Sequence, residues 1–322
     1  MSIHLGVDAG NGAFKIYGLA GGMEVLSQVA INGGQRVTAT MGLKAMKAPM
    51  NIRNANGSFY VDAGAHDYGR PVENLDVERF NGTPEMVALF HGAMTKYQQK
   101  YGAFNEPLSI VVGLPQETLT GETADATKEN VKRWLKGAHS WEADGEAQNL
   151  QVEDVRVASQ ISGGLFDYLL DDAGKFIAAR RKAFSGEVGI ISVGFGTVEL
   201  LAVRDRAPVQ RFTAGAASGV RRLLEMLNGQ RLYSLGEMDI LLRAGKLDTS
   251  TALPVWEREV MGVIERQWGT SWRRFAAVLV MGGGAILLRY TLPLKFGGKA
   301  YMPDDPVQSI ARGLYKMSLI GT

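Results

Sequence analysis

Asp8 precedes the turn Gly10-Asn11-Gly12, and Lys15 follows on the strand that leaves it. A Gly-x-Gly turn presents backbone N–H groups with no side chain in the way, which makes an anion-binding concavity. Asp8 would hold Mg²⁺ through its waters, because that ion keeps much of its hydration shell and takes few protein carboxylates. Lys15 would reach a phosphate as a point charge. An ordinary solvent-facing hairpin carries the same residues equally well, so this turn alone does not decide.

A second turn strengthens the reading. Val7 to Ile16 aligns without gaps on Ile191 to Leu200, each an apolar strand, a Gly-x-Gly turn and another apolar strand. Two such units, one opening each half, predict two similar domains with glycine hairpins facing each other across a gap, against the competing explanation of chance likeness. The second hairpin offers Gly194, Phe195, Gly196 and Thr197 as phosphate contacts. Gly282-Gly283-Gly284-Ala285 follows the apolar Val278 to Met281, so a base or sugar can lie on bare backbone at a sheet edge. Glycine clusters are also ordinary loops. Gln160, between a strand and a helix, is placed to orient an attacking water, or else is a plain first-turn helix residue. A Walker A pattern is absent, and Gly10-x-Gly12 runs into a strand at Phe14-Lys15 rather than a dinucleotide-binding helix. His4, His66, His91 and His139 lack ligand spacing, and none is read as metal-binding or catalytic.

The scaffold for these residues is α/β. With 322 residues, 46% apolar and 21% charged, the chain can bury a sizeable core and divide into two domains. Strands are predicted at 3–8, 14–19, 23–30, 108–114, 187–203 (a pair) and 278–281, and residues 31–82 read as irregular, a candidate small subdomain. Helices are predicted from Thr83, an N-cap before an N1 proline, over 120–137, 160–170 and 217–227, and at the C-terminal end from Pro306. Zero cysteines exclude disulfides and thiolate chemistry. With 35 basic and 33 acidic residues and no basic run, direct nucleic-acid binding is not expected, and any DNA is met through a partner. The opening residues lack a signal-peptide pattern and no apolar segment reaches about 20 residues, so a cytoplasmic protein without membrane contact is expected.

In chain order these motifs, with Gly113-Leu114-Pro115 and the closing Ser309-Ile310-Ala311-Arg312-Gly313-Leu314-Tyr315, resemble the actin/Hsp70/sugar-kinase superfamily, and within it the ParM/StbA plasmid-segregation proteins. The resemblance spans nearly the whole chain. It implies an actin-like fold of two similar domains around a nucleotide cleft, with domain I at 1–155, domain II at 156–305 and the 306–322 helix returning to domain I. It implies a Mg²⁺-dependent ATPase (GTP being an alternative) that assembles with itself into filaments and meets DNA through a bound adaptor protein. By the same resemblance, Asp8, Gly10, Asn11, Gly12 and Lys15 form the first phosphate loop, Gly194 to Thr197 the second, Gly282 to Ala285 the adenosine motif, and Gln160 the water-positioning residue. One position departs: Ser192 stands where the family usually carries the Asp that helps hold the Mg²⁺ water shell. Glu199 is a conceivable substitute, but its place on the outgoing strand suggests that it points elsewhere. The alternatives are a nucleotide-binding scaffold without filaments and a small-molecule kinase of the same fold.

Overall fold

The computed structural model describes residues 2–33, 47–72 and 77–320. The first sheet contains, in chain order, β1 (Ile3–Ala9), β2 (Ala13–Gly18), β3 (Gly21–Leu26), β4 (Val29–Ile31), β5 (Met50–Asn54), β6 (Gly57–Val61), β7 (Arg70–Val72), β8 (Leu108–Leu114), β9 (Gly137–Ala143) and β10 (Glu146–Ser159). The second contains β11 (Glu187–Val193), β12 (Val198–Arg204), β13 (Ala207–Pro208), β14 (Ala214–Ala216), β15 (Ala277–Met281) and β16 (Ala300–Tyr301). The spatial order β3-β2-β1-β8-β10 in one sheet matches β13-β12-β11-β15-β16 in the other. In both, a Gly-x-Gly hairpin joins the first antiparallel pair, β1/β2 or β11/β12, and the incoming strand pairs in parallel on its other side, with β8 or β15. The repeat read in the sequence is therefore a repeat of topology.

The helices are α1 (Ala65–Tyr68), α2 (Pro84–Tyr101), α3 (Ala124–Leu135), α4 (Gln160–Leu169), α5 (Ala178–Ser185), α6 (Val220–Leu227), α7 (Leu235–Arg243), α8 (Leu253–Trp268), α9 (Thr291–Phe296) and α10 (Ser309–Ser318). One core joins the first sheet to α2 and α3 through residues such as Phe14, Phe90, Met94 and Trp141. Another joins the second sheet to α6 and α8 through Leu223, Trp256 and Trp268. Between them lie α4 and α10, whose Ile161, Leu165, Ile310 and Leu314 share a third core with Val111 and Leu279, one from each sheet. Fully buried strands such as β8 and β11 read as continuous apolar runs because both faces are covered.

The α4–α10 crossing joins the two halves at close range. A Cβ on Gly313 would lie 1.7 Å from the Gly163 carbonyl oxygen, and one on Gly6 would lie 2.1 Å from that of Ala311. Asp167 of α4 fastens the crossing, accepting from Ser309 Oγ at 2.8 Å and from Arg312 at 2.7 and 2.6 Å. Since backbone cannot yield as a side-chain tip can, Gly313→Ala is expected to destabilise the protein by about 3 kcal/mol. Gly298→Ala, where a Cβ meets nothing within 4 Å, is the control and should change little. Urea midpoints at constant m-value check both.

Several local expectations are corrected. The described residues of the stretch 31–82 are not irregular: β4 to β7 extend the first sheet beyond β9, and Asn54-Ala55-Asn56-Gly57 makes the β5/β6 turn. Frequent Asn and Gly hid a real turn signal; residues 34–46 and 73–76 of this stretch lie outside the described residues. The predicted strand 23–30 breaks at Ser27-Gln28 into β3 and β4. Thr83 is the N-cap of α2, but its hydroxyl donates to Arg79 O instead of capping. His91 and His139, distant in sequence, meet at 3.3 Å, with His91 stacked on Trp141 at 4.5 Å. His139 Nε2 donates to Leu135 O, which leaves its Nδ1 to accept from His91 Nε2, while Asn54 donates to His91 Nδ1. Burial and the neighbouring His139 lower the His91 pKa to about 3, so the pair is a neutral structural contact.

Candidate functional site

A cavity of about 400 Å³ opens between the two glycine hairpins, within the range of nucleotide-sized ligand sites. It is lined by Asp8, Gly10, Asn11, Gly12, Lys15 and Gln160 from the first half, and by Gly194, Phe195, Gly196, Thr197, Gly282, Gly283 and Gly284 from the second. These sequence candidates converge on one place. Ala285 does not line it and lies in the core beneath, fully buried.

The hairpins touch across the cavity. A Cβ on Gly12 would lie 2.6 Å from Phe195 Cβ, and one on Gly196 would lie 2.9 Å from Asn11 Nδ2. On the second hairpin the carbonyls are tied back: the N–H groups of Gly219, Val220 and Arg221 donate to Gly196, Gly194 and Phe195. On the first, Ser27 Oγ and Arg79 donate to Gly10 O, and Ser27 N donates to Gly12 O. The N–H groups of Asn11, Gly12, Phe195 and Gly196 have no hydrogen-bond partner among the described residues. Satisfied carbonyls beside unused N–H groups form a concavity suited to anions. Gly282, which follows β15, has φ 91° and would place a Cβ 2.4 Å from Val193 O, so the turn there admits only glycine.

Asp8, 2% exposed, is held from two sides. Lys15 Nζ contacts Oδ2 at 2.9 Å and Gln160 Nε2 donates to Oδ1 at 2.8 Å. Gln160 is the first residue of α4, so the strand-to-helix junction aims its amide into the cavity, and Oε1 is left to accept from a water. Asp8 and Lys15 are opposite residues of β1 and β2; Ser192 and Glu199 are the matching pair of β11 and β12. Opposite residues share a sheet face. Glu199 thus occupies in the second half the place of Lys15 in the first, and it lines the cavity together with Ser192 and Asp8. The expectation that it points elsewhere is wrong. The gap-free alignment of the two units, which set Glu199 on Lys15, already contained the signal.

Glu199 is 6% exposed and accepts from the Gln116 N–H at 2.9 Å. Desolvation, opposed by that hydrogen bond and reinforced by Glu117 and Asp8, raises its pKa to about 7. At the other end of the cavity, Arg243 of α7 binds Asp239 at 2.8 Å and Glu24 of β3 at 3.3 Å, and Gln28 Nε2 donates to Gly236 O at 3.0 Å. Helix α7, begun by the Ser234/Glu237 capping box, thereby reaches across to the first half. Burial raises the Asp239 pKa, against the nearby Arg243. None of Glu24, Asp239 and Arg243 was foreseen, since nothing in their spacing marks a site. Among the described residues no group of three His, Cys, Asp or Glu could cage a metal, and no helix is long and apolar enough to cross a membrane.

Residues 6–163 match the N-terminal domain of actin-like proteins. No curated protein matches the chain. Among solved structures, the apo ParM of pSK41 superposes with TM-score 0.73 at 16% identity, over 98% of this chain and 96% of that one. The archaeal actin homologue Ta0583, in complex with ADP, gives TM-score 0.72 at 16% identity, over 98% and 99%. A ParM from a 15-stranded filament of Clostridium botulinum gives 0.70 at 17%, over 98% of each chain. At these identities the likeness is one of fold, and it extends over the whole chain.

Proposed function

We propose that this chain, which matches the N-terminal domain of actin-like proteins over residues 6–163 and has an actin-like fold throughout, is an actin-like protein that binds a nucleoside triphosphate between its halves and assembles into filaments. The observation that carries the reading is the pair of glycine hairpins, each with its two glycine carbonyls tied back and two N–H groups without a partner among the described residues, at one cavity. The ADP complex of Ta0583 and the filament of the Clostridium botulinum ParM support it. Two unlike ends of one protomer would meet head to tail, which yields an open filament where the rotation from one protomer to the next does not close a ring. The ParM/StbA resemblance implies DNA segregation through a DNA-bound adaptor as its use.

The cavity residues fit Mg²⁺. That ion accepts one or two carboxylates plus phosphate oxygens and keeps the rest of its waters, and Asp8 and Glu199 are two buried carboxyl groups at one cavity. In this reading Asp8 and Glu199 hold the hydrated ion, which would neutralise phosphate charge. The hairpin N–H groups grip the phosphates, and Lys15 supplies a positive charge beside them. Gln160, fixed on Asp8, accepts a hydrogen of the attacking water and so orients its oxygen towards the γ-phosphorus. Positioning rather than covalent chemistry carries the step.

Sedimentation and light scattering with MgATP or MgGTP test the proposal, with negative-stain microscopy of the pellet. Filaments that form with triphosphate and fall apart after hydrolysis are expected. A protein that stays monomeric at high concentration with every nucleotide, over a range of salt, would be no filament former.

A further inference from the structure

Behind the first hairpin lies a cation that the mechanism above does not use. Arg79, in the turn Val77–Asn81, is 3% exposed, and its Nη2 donates to Gly10 O at 3.1 Å. Ser27 Oγ donates to the same oxygen at 2.7 Å. Gly10 O and the Asn11 N–H belong to one trans peptide, so they point in opposite directions. Holding the oxygen from behind therefore fixes the Asn11 N–H on the side away from Arg79, and Gly10, Asn11 and Gly12 all line the cavity. Resting on the nucleotide reading, we propose that Arg79 is a positioning residue for phosphate: it orients the Gly10–Asn11 peptide and lends a buried positive charge to an anion bound on the peptide's far side.

Charge and geometry both favour this. Burial lowers the Arg79 pKa to about 10, against the pull of Glu85, so the guanidinium remains protonated at neutral pH. A buried charge is screened less than an exposed one, and the guanidinium bears on the cavity through the one peptide whose oxygen it holds. The guanidinium carbon also lies over the Phe80 ring, 5.2 Å from its centroid, so the ring gives the cation a second contact. A turn of phosphate-binding backbone is thus backed by a cation it does not expose to solvent.

The test compares phosphate-bearing and phosphate-free ligands in calorimetry: ADP against adenosine, with GDP against guanosine in parallel, for wild type, Arg79→Lys and Arg79→Gln. Arg79→Gln is expected to lose about tenfold in diphosphate affinity, Arg79→Lys to recover most of it, and nucleoside binding to stay the same in all three. Equal losses for nucleoside and diphosphate, no loss at all, or a lysine variant no better than glutamine would overturn the proposal. If Arg79→Gln does not fold, Ser27→Ala replaces it. That variant removes the companion donor to Gly10 O, and a smaller loss confined to the diphosphates is expected; an unchanged diphosphate affinity would overturn the proposal. Wild type that binds no nucleotide of either base would sink the nucleotide reading and this inference together, whereas normal wild-type binding with indifferent variants would sink this inference alone.

Discussion

Glu199→Gln is expected to make the protein more stable and less active in one substitution. The sign follows from a folded-state pKa raised to about 7 against an ordinary 4.5. Between those values the folded protein keeps a proton that the unfolded chain releases, so stability falls as pH rises through the window, and the loss is complete above the folded pKa. Some 2.5 pH units at about 1.4 kcal/mol each give a penalty on the order of 3 kcal/mol at pH 8. Glutamine keeps an oxygen for the Gln116 N–H and brings no charge. Metal-free Glu199→Gln should therefore exceed wild type by about 2–3 kcal/mol at pH 8 and match it near pH 4.5, as read from urea unfolding with chelator present. With Mg²⁺ and nucleotide the same variant should hydrolyse roughly tenfold to a hundredfold more slowly, the usual size of one lost electrostatic contact in phosphoryl transfer. Equal stability at both pH values would show that the carboxyl is not desolvated. Undiminished turnover would remove Glu199 from the ion's shell.

That residue also shows how far the sequence could be read. The two hairpins, β8, α4 and the closing α10 were legible because apolar runs ended at glycine turns, or apolar residues recurred at helical spacing, and because one unit was written twice. Glu199 was within reach by the same logic. Residues 8 and 15 flank their turn as 192 and 199 flank theirs, so whatever face Ser192 shares with Asp8, Glu199 must share with Lys15. An outgoing strand shows its inward face only together with the strand it pairs with. Arg79 was out of reach, because it meets Gly10 from 69 residues away through a turn with no periodic pattern. Asp239 and Arg243 were equally hidden, as their meeting with Glu24 depends on how α7 lies across the cavity. Local chemistry is written in local spacing, whereas a contact made by tertiary packing is not.

Moving the carboxylate from position 199 back to position 192 separates an ion anchor from a residue that matters in some other way. Ser192→Asp alone sets two acidic groups opposite each other on β11 and β12, with Asp8 close to Glu199 already. Like charges at that spacing oppose joint ionisation, so Glu199 should hold its proton to still higher pH. The single variant is accordingly expected to hydrolyse no faster than wild type at pH 7 and to lose stability at pH 8, although it carries the residue usual in the family. In Ser192→Asp/Glu199→Gln one carboxylate of the pair remains beside Asp8, on the neighbouring strand and on the same face of the sheet. If its task is to hold the water shell of Mg²⁺, the exact strand matters little, because outer-sphere contacts through water tolerate shifts that direct ones do not. The double variant should then recover at least about tenfold of the rate lost in Glu199→Gln, roughly 1.4 kcal/mol of transition-state stabilisation. Phosphate release at saturating Mg²⁺ and nucleotide, measured for wild type and the three variants, forms the cycle. A double variant as slow as Glu199→Gln, with nucleotide affinity intact, would mean that Glu199 acts at its own position and not as an interchangeable anchor. A Ser192→Asp protein that hydrolyses faster than wild type would mean that the two carboxylates can be ionised together.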